Sequence, residues 1–293
     1  MLSLAFGNMA LLATIVLATS AAEAGQQAVT FPSLSADSAN ATMLTGELYL
    51  PAEPGPHAAV VLLSGCYGVE DLHRQWAAEF VDAGLAALVV DSLTPRGVKE
   101  VCTDPFKVGP LPRAEDAYGA KRFLAGRADI AADRIALAGW SHGGWTLLRA
   151  FHPPFYSVRE LIAEAGAFQA AIAVYPYCDI AGPFEIPLLV LIGDADDWCP
   201  KRLCDNALGR PDDNPRLEYQ VYAGATHSFD DPFGGNEAAI RDWLATEPPD
   251  AVTLEAGGGY RYLGHLIRYD AAAHADAKAR VRQFLRTYLQ ASE

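Results

Sequence analysis

The sequence predicts a single domain built on a doubly wound, mainly parallel α/β sheet. Three observations predict it. Apolar runs of strand length recur along the chain, helix-length amphipathic stretches separate them, and several of the runs are continuous Val/Ile/Leu/Ala rather than alternating. Continuous runs are the mark of strands whose sheet is covered by helices on both faces. Strand alternating with helix is the pattern of parallel pairing through crossovers. The composition agrees: 293 residues, 51% hydrophobic and 20% charged, are enough for a sizeable buried core and leave no bias toward disorder.

Taken in order, the chain opens with an apolar stretch, Met9–Ala22, ending in Ala22-Glu23-Ala24. A membrane-spanning helix needs about 20 apolar residues, so this run is short for a span. An apolar segment followed by A-x-A reads as a secretory signal peptide cleaved after Ala24, although Met1–Asn8 lacks the usual Lys or Arg. The expectation is a signal peptide over 1–24, a single α/β domain over 25–293, and a mature protein exported to the periplasm or secreted. Strands are expected at Gly46–Leu50, Ala58–Leu63, Ala86–Asp91, Arg134–Ala138, Ala170–Tyr175, Leu188–Ile192 and Leu217–Tyr222. Helices are expected at Asp71–Ala83, Arg113–Gly126, His142–Phe151, Lys201–Leu208 and Ala271–Gln290, the last with Val281, Phe284, Leu285 and Leu289 on one face. Gly234–Arg261, rich in Gly, Pro and acidic residues, reads as a long irregular surface excursion.

Charge and cysteine content bound the function. A net charge of −14 disfavours a phosphate backbone, which is gripped by Lys and Arg, and an anionic membrane surface for the same reason. The expected partner is a small molecule, with no nucleic acid and no stable membrane insertion. The five cysteines, Cys66, Cys102, Cys178, Cys199 and Cys204, make disulfides plausible in an exported protein. Sequence alone does not pair them, though Cys199 and Cys204 are close enough in the chain to pair locally. No CxxC pair and no His/Cys cluster with zinc spacing occurs, so neither a metal nor another cofactor is expected.

The chemistry concentrates at Gly139-Trp140-Ser141-His142-Gly143-Gly144, directly after an apolar strand and before a helix. This is G-x-S-x-G in the strand–turn–helix setting that makes the serine a nucleophile; the flanking glycines relieve crowding in a tight turn. A nucleophilic serine needs a base, and the base needs an orienting carboxylate. In α/β-hydrolases these follow the serine as acid, then histidine, each after a strand. Leu217–Tyr222 runs into Ala223-Gly224-Ala225-Thr226-His227, so His227 is the base; His57, His73 and His265 read as surface or strand-edge residues, and His152 and His274 as helix residues. Leu188–Ile192 runs into a loop with three candidate acids, Asp194, Asp196 and Asp197. Two backbone N–H groups complete an oxyanion hole: His142, after the nucleophile, and Cys66, in Ser64-Gly65-Cys66-Tyr67-Gly68 after an early strand. Tyr67, Trp140 and Trp198 neighbour these loops and are candidates for the mouth of a pocket.

The segments LLSGCYG, DSLTPRG, GWSHGG, IPLLVLIGDADDWCP, YAGATHSFD and YDAAAHADAKARVRQFL together resemble the dienelactone hydrolase family of α/β-hydrolases, from about Pro56 to Leu289. In that family the acid lies three residues after a glycine and four before a proline, which the resemblance carries onto Asp196 between Gly193 and Pro200. It also places Arg96, in Pro95-Arg96-Gly97, near an arginine that binds a substrate carboxylate. Two departures stand out. The founding enzymes use a cysteine nucleophile where this chain has Ser141, and a glutamate of their early loop corresponds to Gly65. The resemblance therefore implies a serine hydrolase of carboxylic esters, lactones included, acting through an acyl-enzyme on Ser141, His227 and Asp196. Amide hydrolysis or acyl transfer to an alcohol uses the same triad, and a binding protein on a hydrolase scaffold is the non-catalytic alternative, favoured only if a triad member were lost.

Overall fold

The computed structural model describes residues 25–35, 41–151, 156–180, 182, 184–209, 214–248 and 251–289. The expected signal peptide lies outside them. Eleven strands are present among these residues: β1 Gly25–Pro32, β2 Met43–Leu50, β3 His57–Leu63, β4 Ala86–Asp91, β5 Ile130–Trp140, β6 Ala171–Val174, β7 Leu188–Gly193, β8 Leu217–Tyr222, β9 Val252–Leu254, β10 Tyr260–Tyr262 and β11 His265–Ile267. The helices are α1 Asp71–Asp82, α2 Pro110–Ala125, α3 His142–Ala150, α4 Tyr156–Ala165, α5 Lys201–Ala207, α6 Glu237–Leu244 and α7 Ala271–Leu289. Every strand and helix expected from the sequence is present, most within a few residues of the expected ends. β1, α4, α6 and β9–β11 were not expected.

β1 to β8 form one sheet in the order β1-β2-β4-β3-β5-β6-β7-β8. β1, β2 and β4 pair antiparallel at one edge, and the six strands from β4 to β8 run parallel. The parallel interior explains the continuous apolar runs: β6 and β7 are buried along their whole length and β3 is buried beyond its first residue. The chain moves outward from β3 to β4 and then back across β3 to β5. Because such crossovers are right-handed, α1 and α2 fall on opposite faces and the sheet is doubly wound. That reversal leaves a crevice beyond the carboxyl ends of β3 and β5, where ligands of such sheets bind.

The region 234–261 differs from the sequence expectation. It is not an irregular excursion but a small cap: α6 packs with the three-stranded sheet β11-β10-β9 around Ile240, Val252, Tyr260, Tyr262 and Ile267, with Tyr67, Trp198, Phe233 and Trp243 against them. Its strands are three residues long, too short to show a period in the sequence.

Two disulfides join Cys66 to Cys102 and Cys178 to Cys204, an arrangement compatible with export. Cys199 stays a buried free thiol, so the local Cys199–Cys204 pair does not form. Cys199 belongs to the loop before α5, whereas Cys204 sits inside α5 with its Cα 4.8 Å from that of Cys178.

The turn after β5 depends on absent side chains. A Cβ on Gly143 would stand 2.3 Å from the Leu63 carbonyl oxygen of β3, and one on Gly139 would stand 2.3 Å from the Gly143 carbonyl oxygen. Gly143→Ala is therefore expected to destabilise the fold by about 2–3 kcal/mol in urea unfolding. A loss below about 0.5 kcal/mol would contradict this packing.

Candidate active site

Ser141 stands between the end of β5 and the start of α3 with φ 51° and ψ −113°, a left-handed conformation that few side-chain-bearing residues adopt. The glycine contacts just described hold that strained turn closed, and strain of this kind is kept where surrounding structure over-determines it. The turn lifts Ser141 into the crevice at the carboxyl edge of the sheet.

β7 leads to Asp196, whose side chain is fully buried, and β8 leads to His227, also buried. The structure brings the two loops onto Ser141. His227 Nε2 lies 2.9 Å from Ser141 Oγ, and His227 Nδ1 lies 2.8 Å from Asp196 Oδ2. Asp196 Oδ1 accepts from the amides of Trp198 at 2.9 Å and Cys199 at 2.7 Å, which aims its other oxygen at the imidazole. A carboxylate only accepts, so Nδ1 carries the imidazole proton and Nε2 is left to accept from the serine hydroxyl. The rings of Tyr175 and Trp198 bracket the imidazole at 4.7 and 5.3 Å between centroids. The competing aspartates have other partners. Asp194 accepts from the Gly224 amide and braces the β7 and β8 loops against each other, and Asp197 accepts from the Leu266 amide of β11.

The loop after β3 lies alongside the nucleophile: a Cβ on Gly65 would sit 3.7 Å from that of Ser141. Cys66 is tied to Cys102, and its carbonyl accepts from the Val101 amide. Arg113 of α2, fully buried, joins this loop to the start of α3. It donates to the Ser64 carbonyl at 2.7 Å and to His142 Nδ1 at 2.7 Å. His142 Nε2 then donates to the Pro105 carbonyl at 2.8 Å. Burial, with the Arg113 charge beside it, pushes the His142 pKa down to about 3, so the ring stays neutral and both its bonds persist. The two segments carrying the candidate oxyanion amides, Cys66 and His142, are thus braced by one cation.

A second buried group holds the site together. Asp230, three residues after His227, accepts from Trp76 Nε1 at 2.8 Å, Trp140 Nε1 at 3.0 Å and Tyr175 Oη at 2.8 Å. Neither Asp230 nor Arg113 was legible as a site residue.

Ser141 opens into two cavities. The larger, about 750 Å³, runs beneath the cap between Tyr67, His73, Trp198, His227, Phe233 and Trp243. The smaller, about 470 Å³, is lined by Val101, Phe106, Trp145 and Tyr177. Tyr67, Trp140 and Trp198 all line the larger one. Three carboxyls line that chamber, of which Asp71 is ion-paired with Arg74. Glu70 is open to it, and desolvation by the surrounding wall, with Asp231 and Asp71 nearby, raises its pKa to about 8. Burial likewise raises Asp231 to about 6.

Two expectations are corrected. Arg96 does not reach either cavity: its guanidinium forms a two-pronged ion pair, 2.8 Å in each arm, with Asp116, whose side chain is fully buried. Freeing it would strand a buried carboxylate, so it serves the scaffold. His73 is not a surface residue but is buried in the wall of the larger cavity, edge-on to Trp140. His265 stays near the surface, its ring stacked on Trp198 at 4.7 Å.

Comparison with known proteins gives a consistent picture. The model of the dienelactone hydrolase family matches residues 44–289. A Bradyrhizobium protein named probable 2-oxo-3-(5-oxofuran-2-ylidene)propanoate lactonase is 24% identical over 197 residues, which span 62% of this chain and 77% of that protein. Among solved structures, a dienelactone hydrolase-like promiscuous phosphotriesterase from metagenomic libraries has a TM-score of 0.61 at 18% identity, over 91% of this chain and 100% of the other. The dienelactone hydrolase of Anabaena variabilis has a TM-score of 0.59 at 17% identity, over 90% and 98%. At these identities the two structures show the shared fold.

The raised carboxyls make stability depend on pH. Each binds its proton more tightly in the folded chain than in the unfolded one. Their contribution is therefore complete below pH 3.8 and is lost as pH rises through about 6 for Asp231 and about 8 for Glu70. Thermal unfolding followed from pH 4 to pH 9 is expected to show a fall that Glu70→Gln makes shallower above pH 6. A Glu70→Gln profile parallel to the wild type would contradict it.

Proposed function

We propose that this chain, which belongs to the dienelactone hydrolase family and is a carboxylic ester hydrolase, works through an acyl-enzyme formed on Ser141. The observation that supports this reading is the unbroken line from Ser141 Oγ through both nitrogens of His227 to Asp196, with links of 2.9 and 2.8 Å.

In the first half-reaction His227 Nε2 takes the serine proton as Ser141 Oγ attacks the ester carbonyl. The negative charge that develops on the carbonyl oxygen is received by the Cys66 and His142 amides, which act without reorganisation because Arg113 and the disulfide hold their segments. Asp196 keeps the imidazole in the tautomer that accepts at Nε2 and stabilises the imidazolium. That imidazolium gives its proton to the departing alkoxide, the C–O bond breaks, and the acyl group stays on Ser141. Water, deprotonated by the same nitrogen, then attacks the acyl carbonyl and the serine leaves with its proton restored. A lactone follows the same course with its alcohol still tethered to the acyl group. The chemistry asks only for groups the chain itself carries.

The test is hydrolysis of p-nitrophenyl esters of increasing acyl length by the wild type and three variants. Ser141→Ala and His227→Ala are each expected to lower kcat/KM by on the order of 10³ or more, and Asp196→Asn by on the order of 10⁴ through loss of the correct tautomer. A fluorophosphonate probe is expected to label Ser141 of the wild type. A Ser141→Ala variant as active as the wild type, or a folded wild type that neither turns over nor reacts with the probe, would overturn the reading.

A further inference from the structure

We propose that the two cavities at Ser141 divide the ester between them. The smaller holds the acyl half and selects an uncharged acyl group that ends in an aromatic ring, and the larger holds the alcohol half. This deepens the acyl-enzyme reading and rests on it, since Ser141 opens into both cavities.

The division follows from where His227 stands. The oxygen of the departing alcohol takes its proton from His227 Nε2, so that half of the ester lies on the histidine's side of Ser141. His227 lines the larger cavity and does not line the smaller one. The carbonyl oxygen is taken by the Cys66 and His142 amides. That leaves the acyl group the direction of the smaller cavity, where His142 forms part of the wall. The larger cavity suits the leaving half in another way. It carries charge of both signs, Arg74 and Lys99 beside Glu70, Asp71 and Asp231, and so admits alcohols of varied polarity.

The smaller cavity has a narrower chemistry. Among its described lining residues the one charged side chain is Asp179, which is already engaged by Trp145 Nε1 at 2.8 Å and by Arg149. That lining holds no Lys or Arg, so an acyl group ending in a carboxylate finds no counter-charge there. Its walls are rings: Trp145 meets Phe106 edge-on at 5.4 Å and Tyr177 at 5.5 Å. Phe106 is 71% exposed and Tyr177 40% exposed, so two bare rings stand at the mouth of a cavity that reaches Ser141. Bare apolar surface beside a cleft marks a place that a ligand covers. An aromatic guest also gains ring-to-ring contacts that an alkyl chain does not make. The walls are set in advance. The Cys66–Cys102 disulfide and the His142 bond to the Pro105 carbonyl hold the segment that carries Phe106, and the Cys178–Cys204 disulfide holds the residue after Tyr177. A preformed wall binds without the cost of ordering it.

The experiment reads two ratios of kcat/KM. The acyl ratio compares p-nitrophenyl hydrocinnamate with p-nitrophenyl butanoate, and the alcohol ratio compares phenethyl butanoate with ethyl butanoate. In the wild type the acyl ratio is expected to be about ten or more, and a para carboxylate on the hydrocinnamate ring is expected to abolish that advantage. Phe106→Ala and Tyr177→Ala are each expected to lower the acyl ratio by about threefold to tenfold and to leave the alcohol ratio within about twofold. Trp243→Ala, in the wall of the larger cavity, is expected to do the reverse. A ratio within one variant cancels any loss of folded protein common to both substrates. With hydrolysis still dependent on Ser141, a wild-type acyl ratio of one or less would overturn this inference and leave the acyl-enzyme reading standing. Phe106→Ala and Tyr177→Ala variants that both keep the wild-type acyl ratio would do the same. Hydrolysis that survives Ser141→Ala would overturn that reading, and with it this inference.

Discussion

Asp230 accepts three hydrogen bonds from donors far apart in the chain: Trp76 in α1, Trp140 at the end of β5 and Tyr175 after β6. It lies three residues beyond His227, so these bonds fasten the histidine loop to the strand that carries Ser141 and to the helix that walls the larger cavity. Removing that carboxylate would leave three buried donors without acceptors, at about 1–3 kcal/mol each. Trp140 and Tyr175 also immediately flank the site, one preceding Ser141 and the other with its ring tilted against His227. The line from Ser141 through His227 to Asp196 is therefore braced by a carboxylate outside that line.

Arg113 plays the matching part on the other side of the serine. It joins the Ser64 carbonyl to the His142 ring, so the loop after β3 and the start of α3 keep their spacing. Its charge survives burial, with the pKa lowered only to about 10, because Asp116 is close by. Asp116 in turn takes Arg96, which is why an arginine expected to meet substrate is absent from both cavities. One buried cation, Arg113, and two buried carboxylates, Asp116 and Asp230, thus set the scaffold.

The sheet and the loops that meet at Ser141 were legible because they obey local rules. Ser141, Asp196 and His227 each follow the end of an apolar strand, and the glycines beside Ser141 announce a crowded turn. Asp230 was illegible for the opposite reason: its partners lie 154, 90 and 55 residues away, and an Asp in a polar loop looks solvated. Arg113 looks like the solvent face of an amphipathic helix until α2 is packed. His73 has the same fault, since one polar residue on α1 carries no sign of burial. The cap was missed because three-residue strands show no alternation, and its Gly and Pro content suggested a loop. Disulfide pairing needed the fold: Cys178 and Cys204 meet only when α5 docks beside the loop after β6.

The central claim is that the ester's acyl group passes through Ser141. The most direct measurement is rapid quenching of the wild type during the first turnover of p-nitrophenyl acetate, followed by mass analysis of the intact protein and of its peptides. The account predicts a burst of p-nitrophenol matched by one acetyl group per chain, carried on the peptide containing Ser141 and absent from Ser141→Ala. A burst whose acetyl group maps to any other residue, or steady turnover by a Ser141→Ala variant, would contradict it.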